Sequence, residues 1–383
     1  MAKLKRFKIR VPGPVITDLK RRLAKTRWPD ELHGAGWDYG ANLAYIKELC
    51  DYWRTTFDWK KQQALLNSLP QFKEEVDGLG IHFVHLRGKG PKPLPLILTH
   101  GWPGSFFEFY KAIPLLTDPA AHGGDPSDAF TVVVPSLPGY GFSNRPAERG
   151  MHLARVGELF AKLMRERLGY TRYGAQGGDW GAGVTTRLGL SDPQHVVGIH
   201  LNMVLGRAAA AFTGTPSPEE EAWRKDYEKW RAEEAAYSQI QGTKPQTLAY
   251  GLNDSPAGLA AWIVEKFRRW SDCNGDVESI YTKDELLTNI TIYWVTETIN
   301  SSVRFYYENT HGGPIVPPGQ RVEVPTGVAV FPKEIIKPPR SIAERGYNIT
   351  RWTEMPRGGH FAAIEQPELL VQDVRGFFRP LRG

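Results

Sequence analysis

Two hydrophobic periods alternate along the chain, one of three to four residues and one of two, and where each holds sets the expected elements. Up to about residue 70, Leu19, Leu23 and Trp28, then Leu43, Ile46, Leu49, Trp53 and Trp59, recur at helical spacing. The tryptophans among them predict a helical arm anchored by its aromatics on a larger body. From Phe72 the period changes to two: residues 72–76 and 81–86 flank Asp77-Gly78, which predicts a β-hairpin. Short apolar runs follow at 94–99, 131–135, 172–176, 196–201, 327–331 and 348–352, with helical periods between several of them, such as 153–168 and 182–190. Buried strands alternating with helices predict an α/β fold with a mainly parallel sheet and helices on both faces. The active site of such a sheet belongs at the carboxyl ends of its strands. The alternation breaks over 203–323, which reads as helical and aromatic, with a capping box at 217–220 opening one helix. An insertion that long between two strands predicts a lid. The expected division is an arm over 1–70, a core over 71–202 and 324–383, and a helical lid over 203–323.

Composition narrows the class of protein. At 383 residues the chain exceeds the roughly 250 to 300 at which one core stops growing, in line with a core plus additions. A net charge of +6 could suggest an acidic partner, but the basic residues are scattered. Their densest cluster, 3–10, alternates with apolar residues and reads as a solvated face. No Walker loop, dinucleotide fingerprint or RNA-binding signature accompanies it, so neither a nucleic-acid partner nor a nucleotide cofactor is expected. Cys50 and Cys273 are too few for a zinc site, and His82 and His85, three apart on a strand, point to opposite faces and cannot share an ion. Neither a cofactor nor a metal is expected. The start of the chain has no apolar stretch behind its basic residues, and the apolar-leaning run 196–212 is interrupted by His200, Asn202 and Arg207. The expectation is a soluble, cytoplasmic protein without a membrane anchor; its oligomeric state is open, with a homodimer allowed.

The stretch that organises the chemistry is 173–183, Tyr-Gly-Ala-Gln-Gly-Gly-Asp-Trp-Gly-Ala-Gly, with Asp179 between a strand and a helix. Glycines around Asp179 suit a sharp strand-to-helix turn that lifts one side chain clear of the sheet. In a Gly-x-Ser-x-Gly nucleophile elbow that side chain is serine; here it is a carboxylate. Taken alone, Asp179 is equally well a helix N-cap in a Gly-rich turn. Its partners decide. His-Gly-Trp-Pro-Gly-Ser at 100–105 follows a buried strand and can aim backbone N–H groups at a developing oxyanion. Residues 136–143 form a further Gly/Pro-rich loop on the same edge. His360, in Arg-Gly-Gly-His-Phe after the last strand, is the one of ten histidines that combines a Gly-rich loop, a strand end and a position near the C-terminus. Nucleophile, acid and histidine then follow in that chain order, and Phe-Pro-Lys-Glu at 331–334 supplies Glu334, otherwise a surface glutamate. A carboxylate nucleophile attacks saturated carbon bearing a leaving group and leaves an ester that activated water must hydrolyse. An epoxide or a carbon–halogen bond fits. An epoxide oxygen also needs a proton donor, and the lid offers tyrosines, among them Tyr237 and Tyr306, which spacing alone does not single out.

With these motifs assembled the chain resembles the microsomal-type epoxide hydrolases of the α/β-hydrolase superfamily, nearly along its whole length. The match includes Thr26-Arg27-Trp28-Pro29 and Phe57-Asp58-Trp59 in the arm, and Asn253-Asp254-Ser255-Pro256 and Leu286-Leu287-Thr288-Asn289 in the lid. The resemblance implies an α/β-hydrolase fold and a cofactor-independent conversion of a small-molecule epoxide and water to a vicinal diol. It implies Asp179 as nucleophile, His360 as the water-activating base and Glu334 as its charge partner. Trp102 and Trp180 become backbone donors to the oxyanion hole, and Tyr237 and Tyr306 the pair that polarises the epoxide oxygen, with Tyr307 adjacent. Vertebrate and insect members carry a membrane-anchoring helix before the arm. This sequence begins almost at the arm, like soluble microbial or fungal members. The rival readings are a haloalkane or haloacid dehalogenase using the same aspartate, with indole N–H groups as halide donors, and a non-catalytic α/β-hydrolase-fold binding protein. The second has little reason to keep nucleophile, base, acid and oxyanion loop together.

Overall fold

The computed structural model describes residues 4–205 and 215–383; Lys3 of the basic cluster, and 206–214 with Arg207 and Phe212 of the run 196–212, lie outside the described residues. Its strands are β1 (Arg6–Phe7), β2 (Gln71–Val76), β3 (Leu79–Leu86), β4 (Leu94–Thr99), β5 (Phe130–Pro135), β6 (Tyr173–Gly177), β7 (Val196–Leu201), β8 (Val322–Val330) and β9 (Tyr347–Glu354). They form one sheet in the order β1-β2-β3-β5-β4-β6-β7-β8-β9. From β5 across to β9 every neighbouring pair is parallel, while β1, β2 and β3 join as antiparallel strands. Every residue of β5 is buried, as a strand covered on both faces requires.

The hairpin between β2 and β3 turns at Asp77 and Gly78, with φ of 49° and 79°. Two central residues at positive φ match the twist of the flanking strands, which is why Asp-Gly works there. The basic cluster 3–10 is not simply a solvated face. Arg6 and Phe7 pair with Phe72 and Gln71 at the sheet edge, Phe7 packs on His82 and Phe142, and Ile9 is fully buried. The alternation turns Phe7 and Ile9 inward and leaves Arg6, Lys8 and Arg10 exposed along the sheet edge. β8 starts five residues before the expected 327–331, because Pro325 sits at a register shift and interrupts the strand pattern.

The arm consists of α1 (Gly13–Ala24), α2 (Leu43–Thr55) and α3 (Trp59–Asn67). Core helices are α4 (Ala112–Thr117), α5 (Leu153–Lys162) and α6 (Asp179–Ser191). Between β7 and β8 run α7 (Pro218–Glu234), α8 (Ala236–Thr243), α9 (Pro245–Leu252), α10 (Pro256–Trp270), α11 (Lys283–Thr296) and α12 (Ile299–His311). The chain closes with α13 (Arg340–Gly346), α14 (Ala362–Glu365) and α15 (Pro367–Phe378). Capping boxes open both α7, at Ser217 and Glu220, and α11, at Thr282 and Glu285. No helix among the described residues is long and apolar enough to cross a membrane.

Arm, inserted helices and core meet through α11. Trp53 and Tyr52 of α2 donate to Thr291 Oγ1 and Asp284 Oδ1 at 3.0 and 3.1 Å. From the other side of α11, Asn289 Nδ2 donates to the Pro103 carbonyl, Tyr293 Oη to the Gly104 carbonyl, and Asn289 Oδ1 accepts from Ser105 Oγ, at 2.7 to 2.8 Å. A buried loop has carbonyls to satisfy, and here the helix opposite satisfies them.

Candidate active site

The crossover direction of the sheet reverses between β4 and β6, which opens a crevice beyond their carboxyl ends. Asp179 stands there directly after β6 and Gly178. It is the first residue of α6 and has φ 48°, a left-handed conformation that a non-glycine residue holds only under constraint. Gly178, not Asp179, is the N-cap. The turn needs its glycines for close approach: a Cβ on Gly181 would stand 1.8 Å from the Thr99 carbonyl oxygen, and one on Gly101 2.2 Å from Asp179 Oδ1. With neither Cβ present, the loop after β4 lies against the aspartate, and the Trp102 N–H donates to Asp179 Oδ1 at 2.8 Å.

That loop is held from below by His100. Burial lowers its imidazole to about 4, although the Gly101 carbonyl and Asp179 oppose this, so the ring is neutral. Nδ1–H then donates to the Gly101 carbonyl at 3.0 Å, and Nε2 accepts from Leu137 N–H at 3.2 Å. The 136–143 loop thus acts as a support, and Tyr140 within it donates to the Ser302 carbonyl of α12.

His360 follows β9, and its backbone N–H donates to the Trp270 carbonyl at 2.9 Å. Nδ1 lies 2.7 Å from Glu334 Oε1, and Nε2 lies 3.3 Å from Asp179 Oδ2. Glu334 is a buried residue; the same Oε1 accepts from Ile335 N–H at 2.6 Å. A Nδ1–H donated to Glu334 fixes the tautomer and leaves Nε2 facing Asp179. Burial by itself lowers the imidazole's proton affinity, but the Glu334 and Asp179 carboxylates outweigh it and hold His360 well above its ordinary value.

The inserted helices complete the wall. Tyr237 of α8 stacks on the Trp102 ring at 5.5 Å between centroids, and Tyr306 of α12 meets Trp102 edge-on at 5.8 Å and Trp180 at 4.7 Å. The Tyr237 and Tyr306 rings meet edge to face, with centroids 5.9 Å apart. Burial pushes both phenols well above their ordinary value, helped by the Asp179 charge at Tyr237 and by Tyr237 and then Asp179 at Tyr306, so both keep their protons. Tyr307 faces elsewhere and stacks on His311 at 4.1 Å. The structure therefore brings Asp179, Trp102, Trp180, His360, Glu334, Tyr237 and Tyr306 to one place. Trp180 N–H, at the start of α6, belongs to the first turn of N–H groups that a helix leaves without an intrahelical acceptor. The indole Nε1 atoms of Trp102 and Trp180 are buried without a hydrogen-bond partner among the described residues.

Sequence reasoning missed four contributors. Trp270 packs edge-on against His360 at 5.1 Å. Glu365 accepts from the backbone N–H groups of Gly359, Phe361 and Asp272, pinning the loop that carries His360. Asn202, at the end of β7, and Glu108, after the Trp102 loop, both border the space beside Asp179. Only position after a strand or a motif could have pointed to them. Among the described residues no cluster of His, Cys, Asp and Glu could hold a metal ion.

Comparison with known proteins bears on the fold and the family. The profile of the family described as "Epoxide hydrolase N terminus" matches residues 4–109, and that of the "alpha/beta hydrolase fold" matches 95–241. The chain is 49% identical to a protein of Stigmatella aurantiaca (strain DW4/3-1), over 98% of this chain and 85% of that protein. It is 43% identical to epoxide hydrolase 1 of Oryctolagus cuniculus, over 97% of this chain and 88% of the rabbit protein. The crystal structure of juvenile hormone epoxide hydrolase from Bombyx mori superposes with a TM-score of 0.87 at 33% identity, covering 100% of this chain and 95% of that one.

Proposed function

The chain belongs to the epoxide hydrolase family of the α/β-hydrolase fold, and from that footing we propose that it opens an epoxide in two covalent steps on Asp179. The observation that carries this reading is the division of labour on one carboxylate: Oδ1 is held at 2.8 Å by the Trp102 N–H, while Oδ2 stands 3.3 Å from His360. Oδ2 attacks a ring carbon, the carbon–oxygen bond of the epoxide breaks, and Tyr237 or Tyr306 gives its proton to the leaving oxygen. Oδ1 is left as the carbonyl oxygen of an ester, already in the position where an oxyanion will form. Water, deprotonated by His360, then adds to that carbonyl. The Trp102 and Trp180 N–H groups stabilise the tetrahedral oxyanion; on its collapse the acyl carbon–oxygen bond breaks, His360 gives its proton to the departing diol oxygen, and the proton left on the Asp179 carboxyl group returns to the tyrosine that gave one up, restoring the carboxylate. The walls of Trp102, Trp180, Trp270, Tyr237 and Tyr306 suit an epoxide with apolar substituents.

The direct test is a single turnover with enzyme in excess over styrene oxide, in water labelled with heavy oxygen. The two-step route takes the diol oxygen from Asp179 and deposits the label in the protein. Label in the first-turnover diol would mean that water attacks the epoxide directly, and the ester route would be wrong.

The tyrosines give a second test. Tyr237→Phe and Tyr306→Phe should each slow ring opening by about 100-fold, the lower end of what a positioned proton donor contributes, with ester hydrolysis changed far less. Stopped-flow tryptophan fluorescence separates the two steps. Ring opening at the normal rate in both variants would remove the tyrosines from the mechanism.

A further inference from the structure

Beside the Asp179–His360 pair lies a cavity of about 10 Å³. That is close to the roughly 10–15 Å³ at which a cavity admits one water molecule, and far below what any epoxide needs. Its polar walls are Asp179, His360, Asn202 and Glu108; neither Tyr237 nor Tyr306 lines it. A buried water takes two to four polar partners, and this wall provides them. Asp179 and His360, the two residues that ester hydrolysis must bring to water, both line the cavity.

The two covalent steps use neither Asn202 nor Glu108; Asn202 Oδ1 already accepts from Gln176 Nε2 at 2.9 Å, which leaves Glu108. It belongs to a single 3₁₀ turn, Phe106–Phe109, in which Glu108 N–H donates to the Ser105 carbonyl at 3.0 Å and Phe107 N–H to Ser105 Oγ at 3.3 Å. The side chain folds back over Gly104, where a Cβ would stand 1.3 Å from Glu108 Oε1. Any other residue at 104 would evict the carboxyl group. Among the described residues none hydrogen-bonds to that carboxyl, although it is half-buried. A polar group so placed is ordinarily satisfied by something, and the neighbouring cavity has room for water alone.

Building on the Asp179 ester, we propose that Glu108 holds the hydrolytic water in this cavity and orients it between His360 and the ester carbonyl. One O–H of the water points to His360 Nε2, which takes that proton. The other is accepted by a Glu108 oxygen, leaving a lone pair directed at the Asp179 carboxyl carbon. The water oxygen bonds to that carbon, the acyl carbon–oxygen bond breaks, and His360 returns its proton to the departing diol oxygen. Burial pushes the Glu108 carboxyl up to about 8, His360 pulls it down, and Asp179 and Glu365 push it up. Esterification removes the Asp179 charge, so Glu108 becomes the better acceptor at the stage when water is required.

The test compares Glu108→Ala and Glu108→Gln with the wild type in single turnovers of styrene oxide or epoxyhexane, whichever the wild type turns over faster. Ring opening should stay within about threefold, and ester hydrolysis in Glu108→Ala should fall about 100-fold, the cost of losing orientation at a reacting centre. Glu108→Gln keeps a carbonyl acceptor and should recover much of the loss. Normal hydrolysis in Glu108→Ala would overturn the inference, as would an equal loss in both steps, which marks a merely structural role. His360→Gln is run beside them. An ester that persists there while the Glu108 variants hydrolyse normally removes Glu108 alone; no ester in any variant removes the covalent reading beneath it.

Discussion

Asp179→Ala should lose epoxide turnover by at least about 10⁴-fold, in the range measured when a nucleophile is removed from an otherwise intact site, and should remain folded. The remaining carboxylates do not substitute. Glu334 is committed to His360 Nδ1 and the Ile335 N–H, and Glu108 stands at a cavity too small for substrate. What persists is His360, able at best to deprotonate water beside an epoxide that nothing has opened. The fold should survive because the losses are local. Alanine tolerates the φ of 48° at position 179 less well than aspartate, a strain of about 1–2 kcal/mol. One hydrogen bond from the Trp102 N–H is also lost, about 1 kcal/mol more. Against a global stability of about 5–15 kcal/mol, the protein stays native at ordinary temperature. A steady-state assay paired with a thermal melt checks both halves; a folded variant retaining a substantial fraction of wild-type activity would refute the nucleophile assignment.

The parts of this site legible in the sequence are those that the backbone forces on it. A parallel sheet binds at its carboxyl ends, and a side chain lifted there must be bracketed by small residues. Gly177, Gly178 and Gly181 therefore marked Asp179, and Gly358 and Gly359 marked His360. Glu334 was found by chain order after β8. Tyr237 and Tyr306 could not be found this way. They come from two helices, α8 and α12, whose faces converge only after the chain has folded, and only family resemblance separated them from the other tyrosines. Tyr307 differs from Tyr306 by about 100° of helix rotation and by nothing visible in sequence. Glu108 was hidden for another reason. In Ser-Phe-Phe-Glu-Phe it reads as the solvent-facing member of an aromatic turn, and its inward direction depends on Gly104 having no side chain.

The arm has no residue in the site, yet a chain of contacts joins it to the oxyanion loop. Trp53 and Tyr52 bind one side of α11, and Asn289 and Tyr293 of the same helix hold the carbonyls of Pro103 and Gly104. Those carbonyls follow directly after Trp102, whose N–H meets Asp179 Oδ1 at 2.8 Å. The arm thereby braces the helix that holds the loop carrying Trp102.

In His360→Gln the ester on Asp179 should form and then persist, with turnover down about 10³-fold or more, within the range that a general base contributes. In the resting protein His360 sits between two carboxylates, which together outweigh the effect of burial and favour its protonated form. Alkylation neutralises Asp179 and takes away the acceptor facing Nε2, so the proton affinity of His360 falls. The imidazole becomes a usable base at the stage when water must be deprotonated. Hydrolysis by the wild type should therefore quicken as pH rises through the value His360 has in the ester, and level off above it. Glutamine occupies similar space but has no nitrogen that accepts a proton, so the variant keeps ring opening, which relies on Asp179 and the tyrosines, and loses the second step. Intact mass after exposure to styrene oxide should rise by one whole epoxide, mapped to Asp179. Short haloalkanes belong in the same experiment, because the buried Nε1 atoms of Trp102 and Trp180 are the donors a halide would require. A gain lacking the halogen would show that the site also displaces halide. A folded variant that gains no mass from any substrate the wild type consumes would rule out the covalent intermediate.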